Sequence, residues 1–191
     1  MDYCPIKSNF AVMKHPLDKF RYCPVCGSER FEVNNVKSKK CQACGFTYYM
    51  NPSAATVAVI TTPLPTGEGM GLLVVRRGKE PAKGTLDLPG GFSDMGETSE
   101  EGVAREVLEE TGLRVTRTEF LFSLPNRYVY SGLEIPTMDM FYRCEIADTD
   151  CAHAMDDAAD LMWIPLSEVD PSQFGLESIR LGVSKLLQML K

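Results

Sequence analysis

The sequence lacks the features that mark membrane, secreted and repetitive proteins. No apolar run among its 191 residues reaches the ~18 residues of a membrane-spanning helix. The first 25 residues hold no continuous apolar segment of the kind found in a secretory signal, and neither an internal repeat nor a low-complexity run is present. We therefore expect one soluble domain with a small appendage and no membrane partner.

A disulfide framework is also missing. Four of the seven cysteines fall in a metal-binding pattern, and the other three, Cys4, Cys144 and Cys151, are scattered along the chain. This usage is typical of a reducing compartment, so we expect a cytoplasmic protein. The scattered cysteines are expected to be small buried hydrophobic residues rather than nucleophiles.

Basic charge is scarce in most of the chain. Residues 51–191 carry 12 Lys and Arg against 22 Asp and Glu, whereas residues 1–50 carry 8 against 4. The acidic part is a poor surface for nucleic acid, although it can bind phosphate once metal ions neutralise its carboxylates. The basic segment leaves a nucleic-acid partner open without favouring one.

Two CxxC motifs, each followed by glycine, stand in the basic segment, and 14 residues separate the last cysteine of the first from the first cysteine of the second. This spacing indicates a zinc ribbon, in which four thiolates surround one structural Zn²⁺ and leave no open position for catalysis. The ligands are Cys23, Cys26, Cys41 and Cys44. We expect the intervening stretch to form a small hairpin that needs the metal to fold. A redox-active CxxC is the competing interpretation, which two motifs at ribbon spacing disfavour.

The remaining chain alternates between apolar strand patterns and helical patterns. Strands are expected over residues 54–61, 71–76, 119–123, 138–146 and 161–165, with 124–130 as a loop or edge strand. A terminal helix with a core role is predicted from an apolar stripe at helical spacing, formed by Ile179, Val183, Leu186, Leu187 and Leu190. This order suggests a mixed sheet between helices.

The most informative stretch covers residues 91–113 and contains a helix. Thr98 is a favourable N-cap with Glu101 as its capping-box partner, and Gly112 suits the position after the last helical turn. The side expected to face the core carries Ala104, Val107, Leu108 and Thr111.

The other side of this helix carries Glu106, Glu109 and Glu110 within one turn. Like charges at this spacing repel by roughly 0.2–0.5 kcal/mol per pair, and the helix dipole disfavours anions in the last turn. One interpretation is a solvated acidic face. The other is a site for Mg²⁺ or Mn²⁺, because a dication turns the repulsion between carboxylates into an attraction.

The flanking residues favour the metal site. The stretch resembles the complete Nudix box, because it reads Gly91-x5-Glu97-x7-Arg105-Glu106-Val107-x-Glu109-Glu110-x-Gly112-Leu113, with every position of the pattern met. The resemblance implies an α+β fold, a Nudix α/β/α sandwich with a mixed sheet, preceded by the small zinc ribbon. We expect the N-terminal segment and ribbon to occupy residues 1–50 and the Nudix hydrolase domain residues 51–191.

The same resemblance implies a metal-dependent pyrophosphohydrolase and assigns roles to the box residues. The implied ligands of two or three Mg²⁺ or Mn²⁺ ions are Glu106, Glu109, Glu110 and the carbonyl group of Gly90. Glu97 and Arg105 are expected to orient this cluster through an ion pair.

Nudix enzymes differ in their general base, which is a box glutamate or an acidic residue of a later loop. In several branches it lies six residues before the tryptophan of the last strand, a position that Asp157 holds ahead of Trp163. Glutamate is more usual there, so Asp156 and Asp160 are alternatives, as is a plain solvated acidic turn.

The substrate class rests on a narrower resemblance. A CxxC…CxxC ribbon ahead of a Nudix domain is similar to the architecture of NADH pyrophosphatases, which carry SQPWPFPxS beyond the box, where residues 123–131 of this chain read SLPNRYVYS. Tyr128 or Tyr130 is a candidate platform for a base or else an ordinary strand aromatic. Candidate phosphate or base contacts, or else surface charges, are Arg76, Arg77 and Arg127.

We therefore expect a small-molecule nucleotide substrate, a nucleoside diphosphate linked to another moiety, of the ADP-ribose or dinucleotide type. Three alternatives stay open: an NADH or NAD pyrophosphatase, a hydrolase of the NAD-capped 5′ end of RNA, and a nucleotide-sensing regulator without catalysis that binds nucleic acid through its basic ribbon. The resemblance also implies a homodimer as one assembly to test.

Overall fold

The computed structural model describes residues 15–64, 67, 69–149, 152–156 and 158–190. Within those ranges, neither α-helix combines the length and the apolar character that crossing a bilayer requires. Contacts within the chain divide it into two units, with the boundary between Asn51 and Pro52.

The first unit is a three-stranded antiparallel sheet with the order β1 (Phe31–Asn35), β2 (Ser38–Cys41) and β3 (Thr47–Tyr49). β1 and β2 form the hairpin expected between the two cysteine motifs. The core of this unit is small, because its cluster of buried residues consists of Phe31, Cys23 and Cys41, with Phe20 and Phe46 packed against them. Leu17 is the one further apolar residue that is buried among the described residues of this unit. So few apolar side chains are too little to hold a fold together without a metal.

The second unit contains two sheets. The larger one has the order β8 (Gly90–Phe92), β4 (Ser53–Val59), β10 (Leu133–Ile146) and β9 (Val115–Tyr130). It is mixed, because β4 and β10 are parallel while the other two pairs are antiparallel. The smaller sheet has the order β11 (Ala158–Pro165), β6 (Met70–Arg77) and β5 (Thr61–Pro63), and the short β7 (Leu86–Asp87) also pairs with β6.

Two helices cover opposite faces of these strands. α1 (Ser99–Thr111) shares a buried cluster with Ala58 of β4, whereas α2 (Glu177–Met189) shares the other main cluster with the neighbouring Val57. Successive strand residues point to opposite faces, so β4 supplies residues to both clusters. The predicted α/β/α sandwich with a mixed sheet is confirmed.

Helix α1 begins and ends where its sequence predicts. Thr98 accepts a hydrogen bond from the Glu101 N–H at 3.2 Å, and the Glu101 carboxylate accepts one from the Thr98 N–H at 2.7 Å. Gly112 follows the helix with φ of 72°, and its N–H donates to the Leu108 carbonyl at 3.0 Å. These contacts satisfy groups that a helix end leaves without intrahelical partners.

The prediction of which α1 residues face the core is wrong in part. Val107 and Thr111 are buried, but Leu108 is 46% exposed and Val103 is fully buried in its place. The contact face is rotated around the helix towards the glutamates, because Glu106 packs against β8 as well. Periodicity predicts the buried face of a helix from its apolar residues alone, so it does not account for a charged residue such as Glu106 that also contacts the sheet.

Strand β9 is also longer than expected, since it runs without interruption over Val115–Tyr130 along the whole of β10. In α2, Ile179, Val183 and Leu186 are buried as predicted, whereas Leu190 is 49% exposed. Cys144 is buried. The other two scattered cysteines, at positions 4 and 151, lie outside the described residues.

Candidate active site

A cavity of about 370 Å³ in the second unit brings the three glutamates of α1 together with β8. Glu106, Glu109 and Glu110 line it, as do Gly90 and Gly91. The register of β4 and β8 places Gly91 directly opposite Thr56. The cavity therefore lies where the acidic face of α1 meets an edge strand of the mixed sheet.

The two glycines of β8 allow this close approach. A Cβ atom at Gly91 would lie 2.6 Å from the carboxylate carbon of Glu106, and one at Gly90 would lie 2.1 Å from the carbonyl oxygen of Thr56. Gly90 also has φ of 153°, and its N–H donates to Glu110 Oε2 at 3.0 Å. Any side chain here would displace the strand or the glutamates.

Arg105 connects the box residues into one network. Its Nε and Nη2 atoms donate to the two carboxylate oxygens of Glu97 at 3.1 and 2.8 Å. Its Nη1 atom donates to Glu106 Oε1 and to Glu109 Oε2, both at 2.9 Å, and its Nη2 atom also reaches the Phe92 carbonyl at 3.0 Å. The planar guanidinium holds three carboxylates and the backbone carbonyl at the end of β8 at once.

The pKa values of Glu97, Arg105 and Glu106 are shifted from their ordinary values. The hydrogen bonds from Arg105 lower the pKa of Glu97 to about 2, and Glu97 in turn raises the pKa of Arg105. Burial raises the pKa of Glu106, although Arg105 acts in the opposite direction. Burial thus disfavours the charged form of the Glu106 carboxylate, and a bound cation would favour that form.

The three glutamates have different partners in this structure. Glu106 and Glu109 share Arg105, whereas Glu110 faces the backbone of Gly90. Across the residues that the structure describes, only the four ribbon cysteines form a group of three or more residues whose metal-ligand atoms all lie within 4.8 Å of one another. A dication at the glutamates would therefore compete with Arg105 for two of its ligands.

Other residues lining the cavity are aromatic and basic. The rings of Phe92 and Tyr128 meet edge to face with centroids 5.4 Å apart. Arg77 and Lys79 line the same cavity, and Arg77 Nη2 donates to the Tyr128 hydroxyl at 3.3 Å. An aromatic pair offers a surface for a nucleobase, and the two cations offer charge to a phosphate.

Two buried acidic residues in the cavity wall were missed by the sequence analysis. Asp87 pairs with Arg77 Nη1 at 2.5 Å, and the pKa of Asp87 is raised by burial against the effect of this pair. Asp139 accepts hydrogen bonds from Asn126, Thr137 and Ser178 at 3.1, 2.6 and 2.5 Å. Their signal was available, because each is a single acid between apolar neighbours, in Leu-Asp-Leu and Met-Asp-Met.

The predicted contact residues separate into two groups. Tyr128 lines the cavity. Neither Arg76 nor Arg127 is among the described residues that line it, and Arg76 Nη1 instead donates to the Gly84 carbonyl at 2.8 Å. Arg77, the neighbour of Arg76 with the opposite orientation on β6, supplies the cationic side chain of the cavity wall.

The candidate general bases also differ in position. Asp156 lines the cavity, and the preceding Met155 N–H donates to the Glu110 carbonyl at 2.9 Å, which ties this loop to the end of α1. Asp160 is exposed in β11 and is not among the described lining residues. Asp157 lies outside the described residues.

The four ribbon cysteines form a second candidate metal centre. Sγ of Cys23 lies 3.7 Å from Sγ of Cys44, and Sγ of Cys26 lies 3.6 Å from Sγ of Cys41. A tetrahedron of thiolates around Zn²⁺ has sulfur–sulfur separations of roughly 3.8 Å, given Zn–S bonds of about 2.3 Å. Both motifs use the same turn, in which the glycine after the second cysteine has positive φ and donates to the first cysteine at 2.9 Å.

Most of the chain is similar to known proteins of one family. The family model described as NUDIX domain matches residues 52–183. The chain is 25% identical over 149 residues to the NAD-capped RNA hydrolase NudC of Deinococcus radiodurans, covering 78% of this chain and 50% of that protein. It is 37% identical over 84 residues to the ADP-ribose pyrophosphatase of Methanocaldococcus jannaschii, covering 43% of this chain and 46% of that protein.

Among solved structures, a NUDIX hydrolase from Nitrosomonas europaea superposes with a TM-score of 0.67 at 21% identity, covering 88% of this chain and 90% of that one. This likeness concerns the fold. The chain spans about half the length of the curated relatives it matches.

Proposed function

The chain belongs to the Nudix family, and on that premise we propose that it is a Mg²⁺- or Mn²⁺-dependent pyrophosphohydrolase. Its substrate class is a nucleoside diphosphate linked to another moiety, of the ADP-ribose or dinucleotide type. One observation carries the proposal: Glu106, Glu109 and Glu110 line the same cavity as an aromatic pair and two basic side chains. Such a cavity suits a ligand with a charged diphosphate and a flat base.

The residues present fit a hard dication. The site offers carboxylate and carbonyl oxygens, which are the ligands that Mg²⁺ and Mn²⁺ prefer. The absence of a side chain at Gly91 leaves room for Glu106 to turn towards the cavity. Glu106, Glu109, Glu110 and the Gly90 carbonyl would hold the ions, which when bound neutralise phosphate oxygens and lower the pKa of water.

The chain's own residues then have separate tasks. Arg105 holds Glu97 and balances the charge of the glutamates until a cation replaces it. Arg77 and Lys79 attract the anionic substrate, and Phe92 with Tyr128 contacts its base. Asp156 is positioned to accept a proton from the attacking water, because it lines the cavity and its loop is fixed to α1.

The names of the curated relatives support this substrate class. One relative is an ADP-ribose pyrophosphatase and another a NAD-capped RNA hydrolase, and both names refer to a diphosphate attached to a nucleoside. A panel of ADP-ribose, NADH, NAD⁺, diadenosine polyphosphates and dNTPs, with products resolved by mass, tests which linkage is cleaved. Release of AMP from one or more of the first three would support the proposal, and inert behaviour towards the whole panel would refute it.

The metal ligands are tested on the same panel. Glu109→Gln and Glu110→Gln each remove a ligand charge, so we expect kcat/KM to fall by two or more orders of magnitude on the general scale of metal catalysis. Glu100→Gln is the matched control, because Glu100 is exposed in the first turn of the same helix and does not face the described cavity wall. Equal activity of the Glu109 and Glu110 variants and the wild type would contradict the assignment.

A capped RNA end is the second candidate substrate. The first unit carries twice as many basic as acidic residues over residues 1–50, and Tyr22 and Tyr49 are 57% and 47% exposed. Aromatic and basic side chains together are typical of single-strand binding surfaces. NAD-capped RNA cleaved faster than free NAD⁺, with an advantage that disappears at high salt, would favour this candidate.

We also propose that the four cysteines hold a structural Zn²⁺. The short sulfur–sulfur distances and the repeated turns support this, and closed tetrathiolate coordination leaves no position for a reacting water. The proposed division of labour is therefore a metal-stabilised ribbon within residues 1–50 and catalysis within residues 51–191.

A further inference from the structure

Thr56 has a buried hydroxyl group that nothing in the described chain uses. It lies in β4, between β8 and β10, with 1% of its surface exposed. Its Oγ1 atom has no hydrogen-bond partner among the residues that the structure describes. By contrast, the buried hydroxyls of Thr111 and Thr137 donate to the Val107 carbonyl and to Asp139. The Thr56 hydroxyl is thus an exception to the rule that buried polar groups are paired.

The position of this hydroxyl is next to the candidate metal site. Thr56 is directly opposite Gly91 in the antiparallel β4–β8 pair, so the two residues share a face of the sheet. On that face, the Glu106 carboxylate occupies the space where a Gly91 side chain would begin. Thr56 and Glu106 also line the same cavity. An unpaired donor therefore lies beside a glutamate that has an unused acceptor.

Glu106 is bound on one side only. Its Oε1 atom accepts from Arg105, and within the described residues no group donates to Oε2. A buried hydroxyl without a partner destabilises the fold, whereas a valine would fill the same space without an unsatisfied polar group. Packing alone would therefore favour an apolar residue at position 56, yet the residue present there is polar.

We propose that Thr56 is a positioning residue for the metal site: its hydroxyl donates a hydrogen bond to Glu106 when this carboxylate exchanges Arg105 for a bound dication. In this proposal, rotation of the flexible glutamate side chain brings Oε2 to the hydroxyl. Metal-binding carboxylates need such a second contact to hold their orientation. In the metal-free protein Arg105 supplies it, and in the metal-bound protein Thr56 does.

The inference rests on the proposed function, and its test uses Mn²⁺ binding without substrate. Free Mn²⁺ is counted by electron paramagnetic resonance for the full chain and for Thr56→Val and Thr56→Ser. We expect Thr56→Val to bind Mn²⁺ about tenfold more weakly and Thr56→Ser to bind almost as the wild type does. Thr116→Val is the control, because it makes the same substitution on β9, away from the described cavity wall. There the exposed Thr116 hydroxyl donates to the Glu145 carbonyl.

Thermal unfolding without metal separates this role from a structural one. Because the hydroxyl has no partner in the metal-free protein, Thr56→Val should leave Tm unchanged or raise it while it weakens Mn²⁺ binding. Equal Mn²⁺ affinity of Thr56→Val and the wild type would overturn the role of Thr56 alone. A lower metal-free Tm that Thr56→Ser restores, with Mn²⁺ affinity intact, would overturn it too. A wild-type protein that binds no Mn²⁺ would refute both this inference and the proposed function.

Discussion

Replacing Gly91 by alanine tests the geometry of the site with a single methyl group. The new Cβ atom would lie 2.6 Å from the carboxylate carbon and Oε1 of Glu106 and 2.8 Å from Oε2. Real contacts need about 3.4 Å or more, so the carboxylate has to move by roughly 1 Å. Gly91 does not have positive φ, so alanine itself fits the backbone.

The structure sets the size of two separate effects. Moving Glu106 breaks its 2.9 Å bond to Arg105, a charge-assisted contact worth about 1.5–3 kcal/mol. Alanine reduces the conformational entropy of the unfolded chain, which stabilises the fold by about 0.4–1 kcal/mol. We therefore expect the free energy of unfolding to fall by roughly 1–2 kcal/mol in total. Catalysis should suffer more, because a displacement of ~1 Å at a reacting centre costs on the order of 10²-fold in rate.

Urea unfolding and Mn²⁺-dependent turnover measure these effects in the same preparations. Glu106→Asp provides the matched background, since its shorter side chain leaves room for the methyl group. We expect Gly91→Ala to lower kcat/KM in the wild type and to change little in the Glu106→Asp background. An equal loss in both backgrounds would show that the methyl group acts on something other than Glu106 and would refute the argument.

Three further predictions follow from the candidate base, the ion pair and the ribbon. Asp156→Asn should lower kcat by about 10²-fold or more, whereas Asp160→Asn, outside the described cavity wall, should not, as steady-state kinetics can show. Arg105 lowers the pKa of Glu97 from its ordinary 4.5 to about 2, so the ionised form stabilises the fold above pH 4.5 and this contribution disappears as the pH falls towards 2. Glu97→Gln should therefore make the acid-unfolding curve less steep between pH 4.5 and 2. An acid-unfolding curve identical to that of the wild type would contradict this prediction. Cys41→Ser should abolish zinc content measured by mass spectrometry and make the first unit sensitive to protease while the second keeps its unfolding transition.

Local chemistry explains what could be predicted from the sequence. The bounds of α1 follow from Thr98, Glu101 and Gly112, because caps act within one turn of the residues that form them. The two cysteine motifs predicted both a four-sulfur cluster and the hairpin between its halves, since spacing limits where the sulfurs can meet. The layered fold followed from apolar periodicity together with the resemblance carried by the box.

Only the tertiary structure decided which side chains share the cavity. Arg77 rather than Arg76 faces it because β6 pairs in one register, and a shift by one residue would exchange the two. The inward turn of Glu106, the exposure of Leu108 and the unpaired hydroxyl of Thr56 depend on how closely β8 approaches α1. Contacts between residues distant in sequence are set by the packing of whole elements, and no local pattern in the chain encodes them.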